Sequence, residues 1–112
     1  MEVNAKTKHI SISAQKLRLV CDQVRGMGAD QALTVLKFMP QKGADIIGKT
    51  MASAVANAEN NFDLLRDNLY VAQIFADEGP TLKRMKAGAR GRYKPRVRRT
   101  SHLTIVLAER GE

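Results

Sequence analysis

Residues 69–108 read LYVAQIFADEGPTLKRMKAGARGRYKPRVRRTSHLTIVLA, and this stretch decides the fold. Its two ends, 69–76 and 101–108, are rich in β-branched and aromatic residues and predict two strands. The segment between them, 79–100, is basic and holds few apolar residues. The simplest topology is a β-hairpin whose two halves, about ten or eleven residues each, extend roughly 35 Å beyond the sheet at ~3.3 Å per residue. Gly88 and Gly91 mark its tip, where a positive φ is useful.

The charge of segment 79–100 sets it apart from the rest of the chain. It contains nine Lys and Arg and no acid, whereas the remaining residues carry 10 cations and 11 acids. The nine cations are Lys83, Arg84, Lys86, Arg90, Arg92, Lys94, Arg96, Arg98 and Arg99. The formal net charge of +8 therefore arises from this one segment. Clustered cations neutralise phosphates and release counterions, and flexible arginine-rich segments often become ordered on RNA, so the pattern predicts RNA binding.

Other readings of the basic segment fit less well. A solvated charge run would normally include acids, and this one has none. Binding to an anionic membrane needs apolar anchors on one face, but Leu82, Met85 and Tyr93 indicate no clear face in the sequence. Charge alone does not exclude DNA, although no zinc-finger spacing or basic zipper is present. An RNA-recognition motif would need aromatic residues on a strand, and the chain has few of them.

The residues before this stretch predict a strand and three helices. Alternation over 3–10 indicates the strand. Ser13 is a typical N-cap for a first helix with its apolar stripe between Ala14 and Val24, and Gly26 ends it. Further helices are predicted for 30–39, before Pro40, and for 41–60, with a loop over 60–67. The strand at 69–76 has apolar residues on both faces, which predicts a central position in the sheet.

These elements predict an α+β fold: three helices packed on a small three-stranded antiparallel sheet, with a long extended β-hairpin protruding from it. The length suits a single domain, 1–112. Its body would comprise 1–78 and 101–112, and its basic arm 79–100.

The sequence offers little for catalysis. Cys21 falls on the apolar stripe of the first helix and is expected to be a buried, inert thiol. His9, Cys21 and His102 show no metal-ligand spacing, and no Walker loop is present. We therefore predict no enzyme, no metal and no cofactor. His102 is expected to have a structural or an RNA-contacting role. The lone cysteine suits a reducing compartment, and the absence of an 18-residue apolar run or an export signal predicts no membrane partner.

Several motifs resemble one family along nearly the whole chain. They are DEGPTLKR at 77–84, RGR at 90–92 and RTSHLTIV at 99–106, preceded by SAQKLRLV at 13–20, VRG at 24–26, QAL at 31–33 and AVANAEN at 54–60. Together they resemble the bacterial large-subunit ribosomal protein L twenty-two. The chain departs from that family's usual Pro-Arg pair before the tip, where it has Ala87 and Gly88.

The resemblance implies a structural protein of the large ribosomal subunit, located in the cytoplasm on the ribosome. Its partners would be large-subunit ribosomal RNA, neighbouring ribosomal proteins and the nascent polypeptide. It also implies a role in assembly and a hairpin tip in the wall of the nascent-peptide exit tunnel. The tip would comprise Gly88, Ala89, Arg90, Gly91, Arg92 and Tyr93. The alternative is an RNA-modifying or RNA-processing enzyme accessory.

A second RNA-facing surface is predicted on the body. It would comprise Lys6, Lys8, Lys16, Arg18 and Arg25. By spacing alone these cations could equally form a solvated face, and the resemblance favours RNA contact.

Overall fold

The computed structural model describes residues 2–80, 82–87 and 93–109, with the backbone alone for 82–87 and 93–98. The elements in chain order are β1 (Glu2–Ile10), α1 (Ala14–Val24), α2 (Ala29–Phe38), α3 (Lys42–Phe62), a 3₁₀ turn (Arg66–Asn68), β2 (Leu69–Glu78), β3 (Leu82–Ala87), β4 (Tyr93–Arg98) and β5 (Ser101–Glu109). Three helices and a three-stranded antiparallel sheet confirm the predicted α+β fold class.

The sheet has the order β1-β5-β2. The central strand is therefore β5, and the prediction of a central position for the strand at 69–76 is wrong. The sequence of β2 places its apolar residues on both faces because it does not show the bulge between Val71 and Gln73. That bulge shifts the alternation by one residue, so Val71, Ile74 and Ala76 are all buried on the same face of the sheet. In β5 the inward-facing Leu103, Ile105 and Leu107 are fully buried, as expected for a strand with neighbours on both sides.

The three helices pack on one face of this sheet. α3 contacts β1 and β5, α1 contacts β2, and α2 packs on α3. The stripe predicted for α1 is the buried one, with Leu17, Val20 and Val24 at most 1% exposed. Burying a side chain of this size contributes about 1.5–3 kcal/mol, so these stripes, rather than helix propensity, hold the layer together.

The helix ends follow local chemistry. Ser13 caps α1, since its hydroxyl accepts a hydrogen bond from the Lys16 N–H at 3.4 Å. Gly26 follows the helix at φ +84°, the left-handed conformation expected of a glycine at that place. α3 continues to Phe62 and ends at Asp63 with φ 51°, so the predicted loop at 60–67 begins too early and also contains the 3₁₀ turn.

β3 and β4 form a separate antiparallel ribbon. Their register pairs Leu82 with Arg98 and Ala87 with Tyr93. The molecule is elongated, with principal extents of 64, 25 and 19 Å.

Candidate nucleic-acid interface

Most cations of the β3–β4 ribbon belong to one of its faces. Directly opposed residues of paired strands lie on the same face, and faces alternate along each strand. The register therefore places six positions on one face, of which five are cations: Leu82, Arg84, Lys86, Lys94, Arg96 and Arg98. The other face holds a single cation: Lys83, Met85, Ala87, Tyr93, Pro95 and Val97. We call the first set the basic face.

The basic face opposes like charges directly. Arg84 pairs with Arg96, and Lys86 pairs with Lys94. Such pairs destabilise a two-stranded ribbon, and no acid occurs between residues 79 and 100 to offset them. A row of phosphates along this face would attract the cations and offset the repulsion between them. The sequence alone does not reveal the face, because it arises from residues in two halves of the hairpin that only the register brings together.

The predicted tip is largely outside the described residues. Gly88, Ala89, Arg90, Gly91 and Arg92 lie in the segment 88–92. Tyr93 is the first residue of β4.

Short hydrogen bonds join the two chain segments at the base of the hairpin and hold the adjacent start of β5 against the body. The Gly79 N–H donates to the Thr100 carbonyl at 2.9 Å, and the Thr100 hydroxyl donates to the Pro80 carbonyl at 2.6 Å. The hydroxyl of Ser101, which is fully buried, donates to the Ile12 carbonyl at 2.7 Å. A Cβ on Gly79 would lie 2.7 Å from the Thr100 hydroxyl oxygen, so the two chain segments approach too closely for a larger residue. We call this set of contacts the base clamp.

Two of the predicted RNA-binding arginines also bind the outer edge of β2. Arg18 Nε donates to the Ala76 carbonyl at 3.0 Å, and an Arg25 nitrogen donates to the Ile74 carbonyl at 2.8 Å. Farther along the same strand, Val71 exchanges hydrogen bonds with Gly26 and Met27. An open strand edge would otherwise offer these groups to another chain. Arg25 is further occupied by an ion pair with Asp22 at 2.6 Å, so it is the least available cation of the predicted set.

The remaining predicted body residues lie around the sheet. Lys6 and Lys8 are exposed on β1. His102 is half-buried and accepts a hydrogen bond at Nδ1 from the His9 N–H at 3.1 Å. The two imidazole rings meet edge to face with centroids 5.0 Å apart. His9 has φ +58° at the point where the register between β1 and β5 is interrupted. The contact between His9 and His102 joins the two strands at this irregularity. His102 therefore has a structural role in β1–β5 packing.

Cys21 is fully buried, as the sequence predicts. Burial raises the pKa of its thiol to about 11, which disfavours the nucleophilic thiolate at neutral pH. Across residues 2–80, 82–87 and 93–109, no cluster of three His, Cys, Asp or Glu side chains could hold a metal ion. In the same part of the chain, no helix combines the length and apolarity needed to cross a membrane.

An α+β body that presents one ribbon with clustered, uncompensated cations defines a nucleic-acid-binding protein of the ribonucleoprotein type. The chain belongs to the family described as Ribosomal protein L22p/L17e, whose model matches residues 5–108. The family is one of ribosomal proteins, in agreement with the prediction that the chain is not an enzyme.

Full-length relatives support the assignment. A protein of Chloroflexus aggregans is 48% identical over 112 residues, covering 100% of this chain and 99% of its own. One of Desulfotalea psychrophila is 54% identical over 109 residues, covering 97% and 99%. One of Thermoanaerobacter sp. is 49% identical over 110 residues, covering 98% and 99%. Each is named large ribosomal subunit protein uL22.

Proposed function

We propose that this protein is a structural RNA-binding protein of the large ribosomal subunit, that it binds large-subunit ribosomal RNA, and that it supports subunit assembly in the cytoplasm. The observation that carries the proposal is the basic face, on which five of six register positions are cations. Family membership supports the choice of ribosomal RNA among polyanions. Neighbouring ribosomal proteins would be its other partners in the subunit.

The arm, 79–100, is the principal RNA-binding element in this proposal, and the body is the folded unit that carries it. Phosphates along the basic face would offset the opposed cations, which the chain itself leaves uncompensated. Lys6, Lys8 and Lys16 add a weaker surface on the body. Arg18 adds to this surface, because its hydrogen bond to the Ala76 carbonyl uses only Nε. Arg25 and His102 contribute less, because Arg25 is occupied by both Ile74 and Asp22 and His102 by His9.

The tip of the arm lines the nascent-peptide exit tunnel. The family resemblance motivates this assignment, and the length of the arm supports it: roughly 35 Å at ~3.3 Å per residue exceeds what surface phosphate contacts require. The tip would comprise Gly88, Ala89, Arg90, Gly91, Arg92 and Tyr93, and the last four of these would lie closest to the passing peptide.

Deletion of 83–98 tests the RNA-binding element. The variant should remain folded, because the buried apolar stripes lie in the body. Its affinity for a transcript of large-subunit ribosomal RNA should fall sharply and depend less on salt. It should also fail to co-sediment with large subunits in cell extract. Unchanged affinity and salt dependence would reject the arm as the main RNA-binding element.

Crosslinking tests the tip. A photoreactive probe at residue 91 should crosslink to a stalled nascent chain in assembled ribosomes, whereas a probe on the exposed face of α2, at residue 37, should not. If the probe at 91 reaches only RNA, the tip does not line the tunnel.

A further inference from the structure

A cleft of about 750 Å³ opens where the arm joins the body. One wall is the start of α1, residues 13–16 and 18, and the other is formed by both chain segments of the arm base, 78–79 and 99–100. Three exposed cations line it: Lys16 and Arg18 from the helix, and Arg99 from the arm base. Glu78 is its one acidic lining residue. The cleft therefore joins cations that are far apart in the sequence.

The charges of the cleft are not neutralised within the described part of the chain. The ion pairs there are Arg25 with Asp22, and Arg66 with Asp30 and Glu59, and none includes a residue of the cleft. Arg18 is held in place by the bond from its Nε to the Ala76 carbonyl. That bond fixes the guanidinium while its two terminal nitrogens have no described partner, so the group is preorganised to bind an anion.

We infer that this cleft binds the sugar–phosphate backbone of RNA, as a second phosphate site that continues from the basic face of the arm. The inference rests on the proposed function and extends it from the arm to the body. Arg99 directly follows Arg98, the last residue of β4 and a member of the basic face, so one RNA strand can pass from the ribbon into the cleft. The positive end of the α1 dipole adds to the same potential.

Only two of the three cations predicted to bind RNA from the first helix belong to this site. Lys16 and Arg18 line the cleft, and Arg25 does not. Arg99, assigned to the arm by sequence, contributes to the body site instead. Glu78 opposes phosphate binding there, so removing its charge should strengthen RNA binding.

The first test uses the full-length chain with Lys16→Gln and Arg99→Gln combined, and a transcript of large-subunit ribosomal RNA. Affinity is measured over a range of salt concentrations. The slope of log K against log salt should decrease in magnitude by about 2, since each lost phosphate contact removes roughly 0.9. The matched control, Lys37→Gln with Lys49→Gln, removes the same charge from exposed residues outside the cleft and should leave the slope within error of the parent.

The second test removes a negative charge from the cleft instead of positive ones. Glu78→Gln should raise the affinity several-fold, whereas Glu2→Gln, at the opposite end of the sheet, should not. Thermal melts of all variants verify that the fold is retained. Equal slopes for the cleft and control variants, or no gain from Glu78→Gln, would overturn the cleft assignment. Deletion of 83–98 separates the two proposals, because it abolishes most binding if the proposed function is right, whatever the cleft variants do.

Discussion

Gly43 lies against Leu17 so closely that a Cβ on Gly43 would be 2.9 Å from Leu17 Cδ2. This contact lets the start of α3 approach α1 closely. Gly48, one and a half turns farther along α3, has no such constraint, since the nearest atom to its Cβ position is Leu36 Cβ at 3.9 Å. The two glycines of one helix therefore respond to the same substitution with opposite signs.

Gly43→Ala should lower the free energy of unfolding by about 1 kcal/mol, because overpacking costs ~1–3 kcal/mol and the helix propensity of alanine returns up to ~1. Gly48→Ala should raise it by up to about 1 kcal/mol. Urea unfolding of the two variants beside the parent measures both effects. A stabilising Gly43→Ala would mean that Leu17 moves aside without cost.

A second prediction concerns the hydroxyl contact between β1 and α3. The hydroxyl oxygens of Thr7 and Thr50 are 2.7 Å apart, and Thr50 donates to the Ile46 carbonyl at 3.0 Å, so Thr7 is the donor between them. Thr50→Val should destabilise the fold by about 1 kcal/mol, because it deprives the Thr7 hydroxyl of its acceptor. In a double-mutant cycle with Thr7→Val, the coupling should be about 0.5–1 kcal/mol. Strictly additive effects would show that the contact contributes nothing.

A third prediction separates the two faces of the ribbon. Lys86 belongs to the basic face and Lys83 to the other, although both lie on β3. Lys86→Gln should reduce the salt slope of RNA binding by about 1, since a phosphate contact contributes roughly 0.9. Lys83→Gln, an identical change three residues earlier, should reduce it much less. Equal reductions would indicate that RNA surrounds the ribbon on both sides.

A fourth prediction concerns Cys21 and pH. Its pKa is raised to about 11 in the folded protein, so below its ordinary value of ~8.5 the thiol is protonated whether the chain is folded or not. As the pH rises from ~8.5 toward 11, only the unfolded chain loses this proton, and the stability should decrease. Cys21→Ala is the suitable comparison, because Cys21→Ser would add the separate cost of burying a hydroxyl. The free energy of unfolding of Cys21→Ala should decrease less than that of the parent over the same pH range. Iodoacetamide at pH 8 should label the denatured parent but hardly the folded one.

The body could be predicted from the sequence because its signals are local. The Ser13 cap, the buried stripe around Leu17 and the glycine stop at Gly26 each depend on residues within a turn or two of the chain. The end of α3 was missed by two residues because Asn61 and Phe62 give no stop signal, and Asp63 adopts the left-handed conformation that a glycine would announce more clearly.

The strand order and much of the site depend on distant residues, so the sequence could not supply them. The hairpin pattern predicts the pairing of β5 with β2, but no local pattern says that β5 also pairs with β1, because those two strands come from opposite ends of the chain. Arg18 and Arg25 look like exposed cations on a helix face, and the sequence does not show that carbonyls of the neighbouring sheet edge accept hydrogen bonds from both. Lys16 and Arg99 share a cleft for the same reason.

The base clamp also has a mechanical consequence. A paired ribbon attached at one end acts as a lever once a bound RNA has offset its opposed charges, so a change of angle at its base displaces residues in proportion to their distance from it. The six residues of β3 span about 20 Å at ~3.3 Å per residue, so a tilt of about 10° at Gly79 and Thr100 would carry the far end of β3 roughly 3.5 Å farther than its near end. That displacement is about the length of a hydrogen bond. The three short hydrogen bonds of the base clamp restrict this tilt. They therefore help to keep the cations of the ribbon aligned with a fixed row of phosphates.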